Sequence, residues 1–324
     1  MQRFFYKPYL MPLSASLAGF FSLSSVLPAS PADTYISSPA PTPGPAPAPA
    51  RERFEVQVRI NQGASVLENA PLSGKAHATK PSSEAFKVWL SKYNDLDRLS
   101  AAISRSDRIV NVKGQWDHAD KALASMGFAC RQVKDSQIDA AALQDASLLI
   151  VNCGARIDRS RLQAIRDFVG RGGYLLSTDW ALDGFLANTF PGYIRWNKGV
   201  NRTDIYDSRV IGNDSPLYRG LVRHAWWKLD ESSHLVAVSK PQSVKILVQS
   251  ARLAGEDPSR QGIMACAFPF GKGYVLHMVG HFDNNGKMFL PGSLPDPAPE
   301  MGIGLRQGLA ANFVVSALLG ENPL

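Results

Sequence analysis

Ser147–Asn152 (SLLIVN), Asp158–Val169 (DRSRLQAIRDFV), Gly172-Gly173 and Tyr174–Thr178 (YLLST) follow one another in a stretch whose reading decides the fold. From Leu148 to Val151 every residue is apolar, the pattern of a strand covered on both faces of a sheet. Asp158 then supplies a helix N-cap, and Leu162, Ile165, Phe168 and Val169 recur at helical spacing. The glycine pair stops that helix, and a second apolar run starts at once. Strand, helix and strand joined by short connections make a parallel crossover unit.

The same alternation extends in both directions. Upstream, Ile109–Val112 reads as a strand, His118–Met126 as a helix ended by Gly127, Ala129–Val133 as a strand and Gln137–Leu143 as a short helix. Downstream, Val244–Gln249 is a strand, and Ile263–Phe268 and Tyr274–Val279 flank Gly271-Lys272-Gly273 as a hairpin. A closing helix over Gly304–Leu319 presents Leu305, Leu309, Phe313, Val314 and Leu318 on one side. The predicted fold of residues 107–324 is therefore α/β: a flavodoxin-like, doubly wound, mostly parallel sheet with a C-terminal β-hairpin and closing helix.

The chain ahead of this domain divides into three parts. Arg3 and Lys7, the apolar and serine-rich run Leu10–Leu27 and the small residues Ser30-Pro31-Ala32 make residues 1–32 a signal peptide cut before Asp33, or an uncleaved membrane anchor. Residues 33–52 are a proline-rich linker, and proline alternates with small residues from Pro39 to Pro49. That composition favours an extended spacer rising ~3.1 Å per residue. Residues 53–106 are expected as an extension packed on the main domain, with a strand over Phe54–Ile60, a loop over Gly63–Lys80 and helical spacing over Ser83–Ile103. The expected setting is export to a periplasmic or extracellular location, with membrane association only through the N-terminus.

At 324 residues and 45% hydrophobic composition the chain has enough apolar material for a folded core. Its formal charge of +7 is scattered: Lys80, Lys87 and Lys92 stand far in sequence from Arg202, Arg209, Arg219 and Arg223. No basic block marks a nucleic-acid groove, so no nucleic-acid partner is expected. Cys130, Cys153 and Cys266 lack the CxxC spacing of a zinc knuckle. Cys130 and Cys266 sit inside apolar runs, whereas Cys153 ends a strand, where a thiol is useful to a site.

The segment from Ile109 to about Phe282 resembles the class I glutamine amidotransferase-like superfamily, especially its trehalose-utilisation-like branch. The residues that carry the likeness are Leu148 through Gly154, Leu162 through Gly173, Tyr174 through Asp179, and Gly271-Lys272-Gly273-Tyr274-Val275 leading to Gly280-His281. In that family the strand after the glycine pair leads into a sharp elbow that carries the nucleophilic cysteine. The matching stretch is Ser177-Thr178-Asp179-Trp180-Ala181, with Asp179 at the cysteine's place, so the resemblance implies the scaffold without glutaminase chemistry. The family's histidine followed two residues later by glutamate is matched at best by His281 and Asp283.

Ligands of open parallel sheets bind beyond the carboxyl ends of the strands, and this locates the candidate residues. Asp117 opens a helix either as a cap or as a pocket residue, and His118 in the first turn is a candidate base or metal ligand. Cys153 and Asp179 end successive strands. A carboxylate on an elbow serves as base, ligand or nucleophile, or else holds the turn. Trp180 follows it. His277 and His281 share one side of a strand; His277 reads as a core residue, and His281 at the strand end as a site residue. Trp226-Trp227 with Glu231 and His234 form an expected flap, offering Trp227 for stacking and Glu231 and His234 as an acid and a base. Asp179, His281 and His118 are thus the catalytic candidates, and Asp117, Cys153, Trp180, Trp227, Glu231 and His234 the ligand-binding ones.

The sequence leaves metal and cofactor unspecified, and a small molecule or carbohydrate is the expected partner. Three readings follow: an exported, noncatalytic or weakly catalytic ligand-binding module; a hydrolase, metal-assisted or not, acting on a sugar or amide; or a structural envelope protein with a vestigial pocket.

Overall fold

The computed structural model describes residues 83–221, 223–281 and 304–324. The predicted leader, linker, Phe54–Ile60 strand and Gly63–Lys80 loop, together with Phe282 and Asp283, lie outside the described residues. Among the described residues no helix is long and apolar enough to cross a membrane.

Among the described residues, nine strands form one sheet. In chain order they are β1 (Ile109–Val112), β2 (Arg131–Val133), β3 (Leu148–Val151), β4 (Tyr174–Thr178), β6 (Asp204–Val210), β7 (His224–Leu229), β9 (Lys245–Gln249), β10 (Ile263–Phe270) and β11 (Gly273–Met278). Two further strands, β5 (Ile194–Trp196) and β8 (Val236–Val238), pair antiparallel in a separate ribbon. The order across the main sheet is β2-β1-β3-β4-β11-β10-β9-β6-β7. From β2 to β11 all neighbours are parallel. From β11 onward each pair is antiparallel. The chain steps from β1 outward to β2 and then crosses back to β3, so the order reverses between β1 and β3. Ligands of open sheets bind near such a point, beyond the carboxyl ends of the strands.

The decisive stretch folds as its pattern requires. β3 and β4 are buried at every position, and between them runs α4 (Leu162–Gly170), which buries Ile165, Phe168 and Val169. The Asp158 carboxylate accepts the Ser160 N–H at 2.8 Å, capping a short 3₁₀ turn that leads into α4. At the other end of the unit the hairpin Gly271-Lys272-Gly273 lies against the glycines that end α4. A Cβ on Gly273 would stand 2.0 Å from the Gly173 carbonyl oxygen, so only glycine fits there.

Several elements differ from the sequence reading. The helical run over Ser83–Ile103 is two helices, α1 (Ser83–Tyr93) and α2 (Leu96–Ile103). Asp95 breaks it, because its carboxylate accepts the Arg98 N–H at 3.0 Å and starts a new N-terminus. Phe86, Trp89, Leu90 and Leu99 are buried in the same apolar core as the sheet. The predicted helix over Gln137–Leu143 is a 3₁₀ turn at Asp135–Gln137 followed by turns, in which the Asp139 side chain takes the Ala142 N–H at 2.8 Å. The helix after β1, α3 (Ala119–Ser125), starts one residue later than predicted, with His118 as its N-cap.

Two short helices, α5 (Ala187–Thr189) and α6 (Ala251–Glu256), precede the closing helix α7 (Leu305–Leu319). The predicted one-sided face of α7 is in fact burial all round: Arg306, Gln307, Asn312 and Ser316 are covered along with its leucines. Each polar side chain buried this way needs a partner. Asn312 donates to the carbonyls of Leu217 and Arg219 at 2.9 and 2.8 Å, and Arg306 donates to the Lys228 carbonyl at 3.2 Å while lying over the Trp227 ring.

Candidate functional site

β3, β4 and β11 are neighbours in register, with Val151 beside Ser177 and Ser177 beside His277. The chain leaves each of them within three residues of a reactive side chain: Cys153 after β3, Asp179 after β4 and His281 after β11. One donor atom from each of the three lies within 4.8 Å of the other two. Parallel register therefore brings together residues that stand 26 and 102 positions apart in sequence.

The elbow predicted at Asp179 is present. Its φ of 41° is left-handed, an unfavourable conformation for a side chain with a Cβ. Such strain persists where surrounding bonds over-determine it, and it clusters at functional positions. Here the Asp179 N–H donates to the Met278 carbonyl at 2.9 Å, and the Asp179 carbonyl accepts the Leu182 N–H at 2.9 Å. The carboxylate does not bond its own turn. It accepts the Ser233 hydroxyl at 2.9 Å and the His234 N–H at 2.8 Å, and so ties the 230–234 loop to the elbow. Burial pushes the Asp179 carboxyl up to about 6, against the pull of the His234 N–H, the Ser233 hydroxyl and the His281 charge.

His281 is positioned by a residue that sequence reasoning missed. Its Nδ1 lies 3.2 Å from Asp230 Oδ2, and this holds the ring and leaves Nε2 as the nitrogen not engaged by Asp230. Burial alone would lower the imidazole, but the Asp230 bond and the charges of Asp117, Asp179 and Asp230 leave it above its ordinary value. The same bond, together with Lys228 Nζ at 3.2 Å, holds Asp230 down at about 2 despite its partial burial. Cys153 is covered, and its thiol is pushed upward by burial and by Asp179, while the Trp180 backbone N–H faces the sulfur. A thiol so placed is not a ready thiolate nucleophile.

Asp117 is fully buried one strand away. It is not the cap of α3: its Oδ1 accepts the His118 N–H at 2.9 Å and its Oδ2 accepts the Thr178 hydroxyl at 2.7 Å. Thr178 in turn accepts the Cys153 N–H at 2.9 Å, so one hydroxyl links the ends of β1, β3 and β4. The cap function falls to Asn152, whose Oδ1 accepts the Ala119 N–H at 3.3 Å. Gly154, at φ 77°, closes this floor, and a Cβ there would stand 2.9 Å from that of Gln115. His118 is half-buried and does not belong to the three-residue cluster.

An aromatic rim borders the cluster. Trp180 and Trp116 are 39% and 51% exposed, with ring centroids 6.4 Å apart and planes near perpendicular. Trp180 donates its indole N–H to the Ser232 carbonyl at 2.8 Å. His234 is stacked between Trp180 and Trp196, at 5.9 and 4.2 Å, and burial lowers its proton affinity. Trp116 lies in the Gln115–His118 run that follows β1 in the sequence, whereas Asp230 follows β7, whose alternation the sequence hides.

The expected flap over 226–234 is strand for its first part. Trp226 and Trp227 lie in β7 and are buried, and Trp227 donates to the Val279 carbonyl at 3.0 Å inside the core. Alternation in β7 is masked because Ala225, Trp226 and Trp227 are all covered. Glu231 is exposed on the following turn. His277 is a core residue, as its neighbours predicted. Its Nδ1 meets the Ser177 hydroxyl at 2.9 Å, its Nε2 has no hydrogen-bond partner among the described residues, and burial drives its proton affinity down to about 3.

No protein-family model matches this chain, and no curated protein matches it in sequence. Among solved structures it is similar to a GMP synthase-like protein from Thermoplasma acidophilum, with 13% identity and a TM-score of 0.44 over 65% of this chain and 93% of that one. It is similar also to a ThuA-like protein from Bacteroides uniformis, with 12% identity and a TM-score of 0.44 over 64% of this chain and 89% of the other. A β-galactosidase from Rahnella matches with 13% identity and a TM-score of 0.38 over 53% of this chain, which spans only 28% of that enzyme. At this distance none of these proteins assigns an activity to the chain.

Proposed function

We propose that the crevice beyond β3, β4 and β11 binds a small polar ligand with one flat apolar face, and that a carbohydrate is the class that fits it best. The observation that carries this reading is the pair of exposed indoles, Trp116 and Trp180, at the edge of the cluster of Cys153, Asp179 and the half-buried His281. An indole face covers the apolar face of a sugar ring, and fixed polar groups beneath it orient hydroxyls. Asp230 holds His281 and Ser233 holds Asp179 in place, which lowers the ordering cost of binding. The exported, noncatalytic or weakly catalytic module is the form of this proposal that also accounts for the N-terminal residues 1–52. Its support there is composition alone.

Calorimetric titration of the full chain with neutral mono- and disaccharides tests the reading. The expected result is saturable binding by at least one sugar, weakened about tenfold (~1.4 kcal/mol) by Trp180→Ala. Absence of binding across the panel, or equal binding by the variant, overturns it.

One observation favours hydrolysis as a second reading. Asp179 at about 6 and the Asp230-held imidazole of His281 form a pair suited to general acid–base work on one bound group.

A further inference from the structure

We infer that Cys153, Asp179 and His281 form a binding site for one thiophilic divalent cation of the zinc class at the floor of the crevice. The inference rests on this crevice but not on the carbohydrate reading.

The donor set comes first. A thiol sulfur, a carboxylate oxygen and an imidazole nitrogen lie within 4.8 Å of one another, on three adjacent strand ends. Tetrahedral zinc, with bonds of about 2.0–2.3 Å, places its ligand atoms roughly 3.3–3.8 Å apart. Closing the cluster onto an ion therefore asks for shifts of about 1 Å, within the reach of small side-chain rotations. Three protein ligands leave the fourth position of such an ion open. A soft thiolate beside an imidazole and a carboxylate suits zinc or cobalt, and disfavours magnesium or calcium, which take oxygen sets.

The groups behind the donors are the second observation. Metal-bound histidines commonly give their other ring nitrogen to a carboxylate, and His281 does so through Nδ1 to Asp230 at 3.2 Å. Asp179 is held by Ser233 and by the His234 N–H, and the Trp180 backbone N–H faces the Cys153 sulfur. The imidazole and the carboxylate are thus oriented by independent partners. The bonds to Asp179 also hold the elbow in its left-handed turn.

Charge gives the third argument. Cys153 and Asp179 are buried, at 1% and 2% exposure, where an unpaired anion is costly. A divalent cation with one thiolate and one carboxylate is neutral overall. Binding displaces the thiol proton and, where the imidazole is charged, the Nε2 proton of His281 as well, and these protons leave to solvent.

Chelator-treated full-chain protein titrated with Co²⁺, followed by elemental analysis after exchange into Zn²⁺, tests the site without any organic ligand. The expected result is one equivalent of metal, a near-ultraviolet sulfur-to-cobalt charge-transfer band, and visible bands with the intensity of four-coordinate cobalt. Cys153→Ser abolishes the charge-transfer band, whereas Cys130→Ser keeps it. His281→Gln and Asp230→Asn lower affinity about tenfold or more, with the circular dichroism of each variant checked against wild type. No bound metal in folded wild-type protein overturns the inference, as does a charge-transfer band that survives Cys153→Ser. Because sugar binding is absent from the assay, its outcome stands apart from the calorimetric one.

Discussion

Asp179, one residue past β4, and His277, on the neighbouring β11, show two ways in which a buried ionisable group is managed. Asp179 is given donors on both oxygens and stays within reach of ionisation near neutrality. His277 is given one hydroxyl and, among the described residues, no opposite charge, so burial favours its neutral form. The pH dependence follows from that difference. An unfolded histidine takes up a proton below about 6.5, while folded His277 resists until about 3. Between those values the unfolded state binds the extra proton, so stability rises with pH through that window and this contribution is flat above it. His277→Leu is expected to remove a slope of up to ~1.4 kcal/mol per pH unit between about pH 4 and 6, read from urea unfolding at a series of pH values. An unchanged slope would mean that His277 is protonated or solvated in the native protein.

At the scale of elements, the regular part of the fold was legible and the irregular part was not. β3, α4 and β4 announce themselves through continuous apolar runs, a cap and a glycine stop. Strand-end residues such as Cys153, Asp179 and His281 could be placed from those runs alone. β6 escaped notice because one of its inward positions is Ser208, which hides the period of two in Tyr206, Ser208 and Val210. With β6 and β7 unread, the loop that follows β7 could not be brought to the site, and Asp230 and Ser233 were lost with it. α7 was legible as a helix but not as a fully buried one, because the carbonyls that satisfy Asn312 belong to a 3₁₀ turn at Pro216–Tyr218 and to Arg219 just after it. Asn312→Ala leaves both carbonyls without that donor, and a loss of about 2–3 kcal/mol is expected in equilibrium unfolding. A loss under ~0.5 kcal/mol would show that water reaches them and that α7 is less tightly enclosed.

At the scale of the whole molecule, two sheet halves share the work. The parallel half supplies the strand ends on which Cys153, Asp179 and His281 stand, and the antiparallel half, through the loop after β7, supplies Asp230 and Ser233. Neither half alone contains the centre, which is why no local motif announces it. The arrangement also separates the six tryptophans into two populations. Trp89, Trp226 and Trp227 are buried, whereas Trp116 and Trp180 stand exposed beside the cluster and Trp196 stacks behind His234.

That separation allows the location of the site to be read directly. The indole N–H resonances of ¹⁵N-tryptophan-labelled full-chain protein, assigned by single substitution, would be followed through a titration with the sugar that binds most tightly in calorimetry. The expected result is shifts of Trp116 and Trp180 that saturate with the calorimetric affinity, with Trp89 and Trp227 unmoved. Shifts at Trp89 without change at Trp116 and Trp180 would place the ligand elsewhere on the molecule and contradict the proposed site.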